Sequence, residues 1–417
     1  MQIKARTTCR VCGSKKLIPI LSLGNQFVTN FVEDSKGDFP KGPLDLVLCN
    51  LKDGGCGLLQ MKHTMERDVM YRKYWYKSGI STTMVKALAD VTSAVKKTVP
   101  LSSGGIVVDI GANDGTLLRQ YKIPGLITVG FEPSNLWKLG TEGNTRIIND
   151  YFNYASFIKE FGDKKAKAIT SIAMFYDLED PNGFVEDIKK CLDPNGVWII
   201  QMNYLGLMIE NNTFDNISHE HLEYYSLLSL SNLLEKHEME AFDVELNDVN
   251  GGSFRIYVKH KRANVKTSPG SQKRLKKQKD YELKMGFDDS KVYSKFAKRI
   301  EKSKNELLTF LRQEVKKGKR IFIYGASTRG LVVLQYFGID KELISGAADM
   351  NSDKWGKYIV GTGIPIMSVE EYRQKKPDYL LVLPYHFLNE IKEQEKDYLK
   401  KGGKMIVAIP DFQVISK

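Results

Sequence analysis

One short segment, residues 106–133, constrains the fold of this chain more than any other. It reads IVVDIGANDGTLLRQYKIPGLITVGFEP. The apolar run before Asp109 predicts a buried parallel strand, Gly111 indicates a tight turn, and Thr116 is expected to begin a helix. A second apolar run ends at Glu132, about 20 residues past the first glycine, where nucleotide-binding α/β folds place a carboxylate on a ribose. The segment therefore predicts a unit that binds an adenosine-type cofactor.

The charge of the glycine turn narrows the choice of cofactor. A loop that cradles pyrophosphate should be neutral or positive, yet this loop carries Asp109 and Asp114. Two carboxylates suit a cation, and S-adenosylmethionine carries a sulfonium and an amino group. The segment resembles motif I of class I methyltransferases, with Glu132 as the ribose acid; a plain strand–turn–helix is the alternative. The expected cofactor contacts here are Asp109, Gly111, Asn113, Asp114, Gly115, Glu132 and Pro133.

The composition sets broad limits on the protein class. The chain has 417 residues, which predicts two or three domains, and a net charge of +12. That charge fits an anionic substrate, a nucleic acid or simply a lysine-rich surface. We find no apolar run of about 18 residues and no signal-peptide pattern. Four of the five cysteines lie in the first 56 residues, unlike a secreted disulfide scaffold. We therefore expect a cytoplasmic protein with no membrane span.

The order of motifs predicts an α/β protein with three folded parts. The central part alternates strands and helices in the manner of a class I methyltransferase, which is a Rossmann-like core. A small cysteine-rich domain precedes it, and a second Rossmann-like α/β domain follows a basic linker and a long helix. The predicted boundaries are 1–65 for the zinc-binding domain, 66–260 for the methyltransferase domain, 261–318 for the linker and helix, and 319–417 for the C-terminal domain.

The cysteines predict a structural metal site. Cys9 and Cys12 form a CxxC knuckle, and Cys49 and Cys56 form a second, wider pair that spans two glycines. Four thiolates give zinc a closed tetrahedral shell with no open position for water. Free buried cysteines are the alternative interpretation.

The sequence SHEH supplies the acid–base candidates. Only six histidines occur in the chain, and His219 and His221 lie two residues apart with Glu220 between them. Residues two apart in an extended segment face the same side, so both imidazoles could face one cleft. An imidazole can move a proton near neutral pH. The alternative is a capping segment for a helix beginning near Ser226.

Two further segments have a functional and a structural interpretation. The sequence NGGS at residues 250–253 either lets backbone approach a substrate or forms a hairpin turn. The aromatic run around Tyr74 and Tyr76 either packs in the core or forms a wall over the ligands.

A second glycine turn opens the C-terminal domain. Gly325 follows an apolar run, Arg329 lies in the turn, and Asp349 ends the next predicted strand. An arginine beside a helix N-terminus suits a phosphate. A Rossmann-like unit that binds nothing is one alternative, and a unit that binds a dinucleotide is another.

Taken in order, the motifs resemble one family, the sugar C-methyltransferases that act on nucleotide-linked keto-deoxysugars. The resemblance covers nearly the full chain and is carried by CRVCG, CGLLQ, DIGANDGTLL, HEHLEYYS, NGGSFRIYV and IYGASTRG. It implies a zinc-binding region, a central methyltransferase domain and a C-terminal Rossmann-like domain. It also implies S-adenosylmethionine and structural zinc as cofactors.

The resemblance implies a role for each candidate residue. His221 is the expected base that removes the C-3 proton beside a 4-keto group, with Glu220, His219 and Tyr76 beside it. Further expected cofactor contacts are Tyr74, Ser78, Asp150, Tyr151, Phe152 and Phe175. Expected substrate contacts are Asn203, Asn250, Gly251, Gly252, Ser253, Arg255, Gly325, Ser327, Arg329, Asp349, Lys354, Tyr385 and His386.

The chain departs from the family pattern beside the expected base. Ser218 replaces a common tyrosine, and MFYDLED at residues 174–180 replaces a stretch that often contains histidine. These changes bear on the sugar and on the methylated carbon. An RNA methyltransferase is the alternative function, but the lysines cluster with few aromatics, so no nucleic acid partner is expected. The expected oligomeric state is a monomer or a dimer.

Overall fold

The computed structural model describes residues 3–28, 30–142 and 145–416. The strands are β1 Lys4–Ala5, β2 Leu17–Phe27, β3 Phe31–Val32, β4 Lys41–Cys49, β5 Leu59–Met61, β6 His63–Thr64, β7 Ile106–Ile110, β8 Ile127–Phe131, β9 Arg146–Ile148, β10 Ala166–Ile172, β11 Leu192–Asn203, β12 Glu223–Tyr224, β13 Met239–Asn247, β14 Ser253–His260, β15 Ile321–Tyr324, β16 Gly346–Ala348, β17 Tyr358–Ile359, β18 Ile366–Met367, β19 Tyr379–Val382, β20 Lys404–Val407 and β21 Gln413–Ile415.

The α-helices lie between and around these strands. They are α1 Arg67–Tyr71, α2 Thr82–Thr98, α3 Trp137–Glu142, α4 Tyr154–Phe161, α5 Pro181–Cys191, α6 Leu205–Glu210, α7 Leu227–Lys236, α8 Ser271–Met285, α9 Ser290–Lys316, α10 Thr328–Phe337, α11 Val369–Lys375, α12 Leu388–Gln394 and α13 Lys396–Lys400.

The central sheet has the strand order expected of a class I methyltransferase. Its seven strands run β13-β14-β11-β10-β7-β8-β9. Only β14 is antiparallel to its neighbours, and every residue of β7 is buried, which explains the unbroken apolar run in the sequence. The predicted α/β class is confirmed. The carboxyl ends of the parallel strands therefore meet at one edge of the sheet, where ligands bind in such folds.

The prediction that a helix begins at Thr116 is wrong. The structure has only a 3-10 turn there, Leu118–Gln120. The side chain of Asp114 accepts hydrogen bonds from the backbone N–H and the hydroxyl of Thr116, which holds the loop in a non-helical turn. Pro124 then comes too soon for a helix to extend.

The N-terminal domain shares its sheet with the central domain. Strands β2, β4 and β5 are antiparallel, and β12, which directly follows the HEH segment (residues 219–221), adds a fourth strand beside β5. A short antiparallel pair, β3 with β17, joins the N-terminal domain to the C-terminal domain. All three domains therefore contact one another around the HEH segment.

The C-terminal domain is a second Rossmann-like unit, as predicted. Its strands run β18-β16-β15-β19-β20-β21, and only β21 is antiparallel. Helix α10 begins directly after the second glycine turn, with Ser327 as its N-cap. The turn opens toward the central domain, because Arg329 donates to the carbonyl oxygen of Asn250 at 2.6 Å.

The connection between the two large domains differs from the prediction of a linker followed by one helix. Helix α8 begins at Ser271, inside the expected linker, and Gly286 in a left-handed conformation separates it from α9. The buried carboxylate of Glu282 accepts from the backbone N–H groups of Leu227 and Leu228 at the start of α7. This tertiary contact adds to the high helix propensity of the lysine, glutamine and leucine residues in α8.

Candidate active site

A cavity of about 1290 Å³ lies where the three domains meet. The central domain contributes the glycine turn and the HEH segment, the N-terminal domain contributes residues such as Asn30, and the C-terminal domain contributes its own glycine turn. A typical small-molecule pocket has a volume of about 300–1,000 Å³, so this cavity has room for a cofactor and a second ligand.

The cofactor end of the cavity is built on the ends of β7 and β8. Gly111 has a φ of 74°, a conformation that favours glycine, and lets the chain turn over the sheet edge. The carboxylate of Glu132 accepts from the backbone N–H of Asn113 at 2.7 Å and of Ser134 at 2.9 Å. Each carboxylate oxygen keeps a lone pair, so Glu132 is held in place and can still accept from a ribose diol.

Three of the contacts predicted within residues 106–133 do not line this cavity. Asp114 accepts from Thr116 and from the backbone N–H of Gly79, so it shapes the loop instead of facing a ligand. Gly115 packs against Thr145 and is absent from the cavity wall. Asp109 is buried, accepts from the hydroxyl of Thr170 at 2.6 Å, and burial raises its pKa to about 7. Asp114 is therefore held by groups of the loop. Asp109 lies on a second, smaller cavity that Gly111 and Asn113 also line, so its role at the cofactor turn stays a prediction.

The contacts expected beyond the second strand divide into two groups. Tyr151 and Phe152 line the cavity beside Pro133, as predicted. Asp150 is exposed and lies outside the cavity wall. Phe175 is fully buried in the core, where its ring packs against Trp198 at a centroid distance of 5.4 Å. Phe175 is therefore a core residue, whereas Tyr176 and Asp177, the next two residues of the same 3-10 turn, line the cavity.

Residues 71–81 form a segment that crosses the cavity, which we call the aromatic strap. Tyr74, Tyr76 and Ser78 line the cavity, and the hydroxyl of Tyr76 is buried with no hydrogen-bond partner among the described residues. The backbone N–H of Ser78 donates to the side chain of Asn113, and the hydroxyl of Tyr71 donates to the HEH backbone.

The aromatic strap also contacts the C-terminal domain. The contacts pair Lys77 with Asp353, Trp75 with Asn351, and Ser81 with Glu390. The strap therefore connects the cofactor turn to the C-terminal domain.

The geometry of His221 is that of a neutral base. Its Nδ1 lies 2.7 Å from the carbonyl oxygen of Asn216. A carbonyl oxygen only accepts, so Nδ1 carries the proton and Nε2 keeps its lone pair. Burial, together with the nearby charge of Arg329, lowers the pKa of His221 to about 4. His221 lines the cavity and is therefore neutral and available to accept a proton at physiological pH.

The two other HEH side chains also line the cavity but are held differently. His219 contacts the carbonyl oxygen of Gly42 at 3.0 Å, and burial lowers its pKa to about 4. Burial raises the pKa of Glu220 to about 7, although a hydrogen bond with Asn30 opposes this shift. The capping interpretation is also correct for the end of the same stretch, because Ser226 caps α7.

Tyr176 and Asp177 lie on the cavity wall although neither was among the predicted contacts. The ring of Tyr176 lies 4.4 Å from that of His221, centroid to centroid, and Asp177 is the next residue. The backbone N–H of Leu222 donates to the carbonyl oxygen of Tyr176 at 2.8 Å, which ties the β10–α5 loop to the HEH segment. In the sequence, the only signal for this loop was that residues 174–180 depart from the family pattern. That departure did not indicate which side chain lines the cavity.

The hairpin between β13 and β14 places only part of the NGGS sequence at the cavity. Asn203 and Asn250 line it, and the Asn203 side chain donates to the Asn250 carbonyl at 3.0 Å. The other predicted contacts on this hairpin are Gly251, Gly252, Ser253 and Arg255, and none of them lines the cavity.

Each of these four residues has a structural partner instead. An added Cβ at Gly251 would meet Tyr385 at 2.6 Å, and one at Gly252 would meet Leu207 at 2.7 Å. Ser253 donates to a backbone carbonyl of the turn. Arg255 is buried on β14, donates to Gln201 and pairs with Asp90 and Glu245. Arg255 is therefore held by partners on the sheet and does not line the cavity.

The predicted phosphate contact Arg329 lines the cavity, but each of its three nitrogens already donates to a protein acceptor. It donates to Asp215 at 2.9 Å, to the carbonyl oxygen of Asn250 and to the hydroxyl of Tyr385. Tyr385 is not on the cavity wall and serves as a partner of Arg329. The pKa of Arg329 is raised because Asp215 outweighs the effect of burial. Arg329 therefore joins the C-terminal domain to the central domain.

The remaining C-terminal candidates do face the cavity. They are Gly325, Ser327, Asp349, Lys354 and His386. The ammonium group of Lys354 is buried and donates to Asp349 at 3.0 Å and to the carbonyl oxygen of Ala326 at 2.9 Å. Asp349 is thus neutralised by a lysine, whereas a dinucleotide site would use this carboxylate on a ribose.

The four predicted cysteine ligands come together in the N-terminal domain. The ligand atoms of Cys9, Cys12, Cys49 and Cys56 all lie within 4.8 Å of one another. The sulfurs of Cys9 and Cys56 are 3.5 Å apart, and those of Cys12 and Cys49 are 3.4 Å apart. Four clustered sulfurs from two loops fit a closed tetrahedral zinc site. The fifth cysteine, Cys191, is buried in the core of the central domain.

Family models match each of the three domains. A zinc binding domain matches residues 9–71, a methyltransferase domain matches residues 84–242, and a C-methyltransferase C-terminal domain matches residues 248–410. The curated protein C-methyltransferase NovU of Streptomyces niveus is 29% identical over 418 residues, which covers 98% of this chain and 96% of that protein. This chain is an S-adenosylmethionine-dependent C-methyltransferase with an N-terminal zinc-binding region.

Two solved methyltransferase structures each match about two fifths of this chain. A complex of the Haloferax volcanii Trm112 activator with a methyltransferase is 17% identical, with a TM-score of 0.32, and the match covers 39% of this chain and 76% of that chain. An S-adenosylmethionine-dependent methyltransferase from Clostridium acetobutylicum is 12% identical, with a TM-score of 0.32 and coverage of 42% and 91%. The strand order of the central sheet establishes the fold. None of the helices in the described ranges combines the length and apolarity that a bilayer crossing requires.

Proposed function

We propose that this C-methyltransferase deprotonates a nucleotide-linked 4-keto deoxysugar at C-3 and methylates that carbon. The observation that carries the proposal is His221, a neutral imidazole with a fixed tautomer on the wall of a cavity that the cofactor turn also lines. The resemblance to sugar C-methyltransferases supplies the substrate class. The cavity volume of about 1290 Å³ supports a second ligand beside the cofactor.

The proposed role of the chain's own residues begins with proton removal. A keto group at C-4 acidifies the C-3 proton, and the lone pair on Nε2 of His221 accepts that proton. The C–H electrons form the C-3–C-4 double bond, and the carbonyl π electrons move to oxygen to give an enolate. The proton leaves His221 to solvent later, and the hydrogen bond from Nδ1 to Asn216 holds the ring in place throughout.

S-adenosylmethionine supplies an electrophilic methyl group when it is bound. Glu132 is the proposed ribose ligand, because its carboxylate faces the cavity and is oriented by two backbone N–H groups. Tyr151 and Phe152 are the proposed contacts for the adenine ring, and Tyr74 and Ser78 of the aromatic strap lie on the same wall.

The C-terminal glycine turn is the proposed site for the nucleoside diphosphate. Ser327 caps α10, and the positive end of that helix favours an anion. Lys354 provides a buried cation beside the turn. His386 lines the cavity nearby, and burial lowers its pKa well below the usual range, so it is a neutral contact.

The test is methyl transfer from labelled S-adenosylmethionine to a panel of nucleoside diphosphate 4-keto-6-deoxyhexoses, with products identified by mass spectrometry. The wild type should methylate at least one, and His221→Asn should lower the rate by on the order of 10²–10⁴-fold, the usual contribution of a general base. His260→Asn is the matched control, since His260 lies on β14 outside the cavity wall. Transfer by His221→Asn at the wild-type rate would exclude His221 as the base.

A further inference from the structure

Asp177 is a carboxyl group on the cavity wall that has no role in the proposed proton removal or in cofactor binding. It ends a 3-10 turn after β10, at the carboxyl edge of the central sheet. Its Oδ1 atom is buried and has no hydrogen-bond partner among the described residues, and no ion pair in those residues includes it. A buried polar atom without a partner is costly, which indicates that a ligand or a proton completes this environment.

The charges around Asp177 disfavour its ionised form. Burial, and then the neighbouring acids Glu220 and Glu223, raise the pKa of Asp177 well above its usual range. The other titratable groups facing it are four tyrosines, two from the strap, one from its own turn and one from β12: Tyr71, Tyr74, Tyr176 and Tyr224. A phenol is neutral or, when ionised, negative, so none of the four supplies a counter-charge for a carboxylate. Burial and the neighbouring acids therefore favour the neutral carboxylic acid form of Asp177.

The position of Asp177 places it with the base. The preceding residue, Tyr176, contacts the ring of His221 and accepts the backbone hydrogen bond from Leu222. The hydroxyl of Tyr76 is also without a partner among the described residues, but its acidic neighbours are Asp114 and Glu390, on the cofactor turn and the C-terminal domain. The Tyr76 hydroxyl and the Asp177 carboxyl group therefore lie in different parts of the cavity, and only Asp177 lies beside the HEH segment.

We propose that Asp177 is a catalytic residue whose protonated carboxyl group donates a hydrogen bond to the keto oxygen of the acceptor. The inference rests on the proposed function, because only a carbonyl acceptor develops the relevant charge. As His221 removes the C-3 proton, negative charge moves to that oxygen, and a preorganised donor stabilises it most at that point. A carboxylic acid kept neutral in an apolar site can serve as such a donor. The proton stays on Asp177, so the step remains balanced with His221 as the sole acceptor.

The test separates enolisation from methyl transfer. Purified full-length protein is incubated in deuterium oxide with each 4-keto sugar nucleotide of the panel and without methyl donor, and deuterium incorporation is measured by mass spectrometry. Asp177→Leu should lower the exchange rate by on the order of 10²–10³-fold, the usual effect of removing one donor to an oxyanion. Asp177→Asn keeps an N–H donor and should stay within about tenfold of the wild type. Asp163→Asn is the control, because Asp163 is exposed and remote from the cavity.

The pH dependence provides a second readout. A donor that must stay protonated gives exchange that falls as the pH rises through the pKa of Asp177, and Asp177→Asn should remove this alkaline decrease. Deuterium exchange by Asp177→Leu at the wild-type rate would overturn the proposal. An Asp177→Asn variant that exchanges as slowly as Asp177→Leu would also overturn it, because the negative charge would then be the required feature. Absence of both exchange and methylation by the wild type with every ketose would instead refute the proposed function, and the role of Asp177 with it.

Discussion

The buried ion pair between Asp215 and Arg329 should be among the strongest single contacts between the central and C-terminal domains. The Nη2 atom of Arg329 lies 2.8 Å from Oδ2 of Asp215, and the two side chains are only 14% and 2% exposed. Asp215→Asn keeps the shape but leaves the guanidinium without its counter-charge. Breaking one partner of a buried pair costs about 3–5 kcal/mol, whereas an exposed pair contributes about 0–1 kcal/mol.

The expected size of the effect can be measured by thermal unfolding. With about 2.1 cal/mol/K of unfolding entropy per residue, a chain of this length loses roughly 3–6 °C in Tm for a change of about 3–5 kcal/mol. Glu33→Gln is the matched control, since Glu33 pairs with Lys357 across the same kind of domain boundary but its side chain is 87% exposed. We expect Glu33→Gln to shift Tm by about 1 °C or less.

A double-mutant cycle tests the electrostatic reasoning itself. Arg329→Met removes the guanidinium and leaves Asp215 unpaired, so it should also destabilise the protein. The double variant carries no unpaired buried charge, and its loss should be smaller than the sum of the single losses by about 2–3 kcal/mol. Strict additivity, or a loss for Asp215→Asn no larger than that for Glu33→Gln, would show that the pair contributes no more than a surface contact.

Three further outcomes are expected from the site. The proposed base, His221, is active when neutral, and its pKa is about 4. The pH–rate profile for methyl transfer should therefore stay level down to about pH 5 and fall only near pH 4. A fall centred on pH 6.5, the usual pKa of histidine, would contradict the buried, neutral ring. Methyl transfer and Tm should both fall when a chelator removes zinc or when Cys49 is changed to Ser. The reason is that β5 of the zinc-binding domain pairs with β12, directly after the HEH segment. Unchanged activity in zinc-free protein would refute this coupling. Phe175→Ala should lower the free energy of unfolding by about 3–5 kcal/mol, measured by calorimetry, because the ring is buried in the core. The affinity of the folded variant for S-adenosylmethionine should not change. A selective loss of that affinity would show that Phe175 contacts the cofactor.

The features that could be predicted from the sequence are those whose chemistry is local. The apolar run at β7, the turn at Gly111 and the acid Glu132 lie within one short segment, so their spacing alone indicates two parallel strands with a glycine turn and an acid at the same sheet edge. The four cysteines are the usual zinc ligands, and their number and pairing sufficed. The pair of histidines in SHEH was recognisable because imidazoles are rare in this chain.

Prediction failed where the direction of a side chain decides its role. Asp114 and Glu132 are both acids beside the glycine turn, yet only Glu132 faces the cavity, because Asp114 is used by Thr116 and Gly79. Arg329 lies in the expected turn, but its donors are taken by groups from distant parts of the chain. No local pattern contains that information.

The sequence by itself determined the fold class, the methyl donor, the zinc ligands and the candidate base, because each depends on residue types at short spacing. Only the tertiary structure decided the electrostatic state of the site. Burial and the carbonyl of Asn216 set the neutral tautomer of His221, and burial with two neighbouring acids raises the pKa of Asp177. These effects depend on which groups lie within a few ångströms after folding, and segments far apart in the chain supply them.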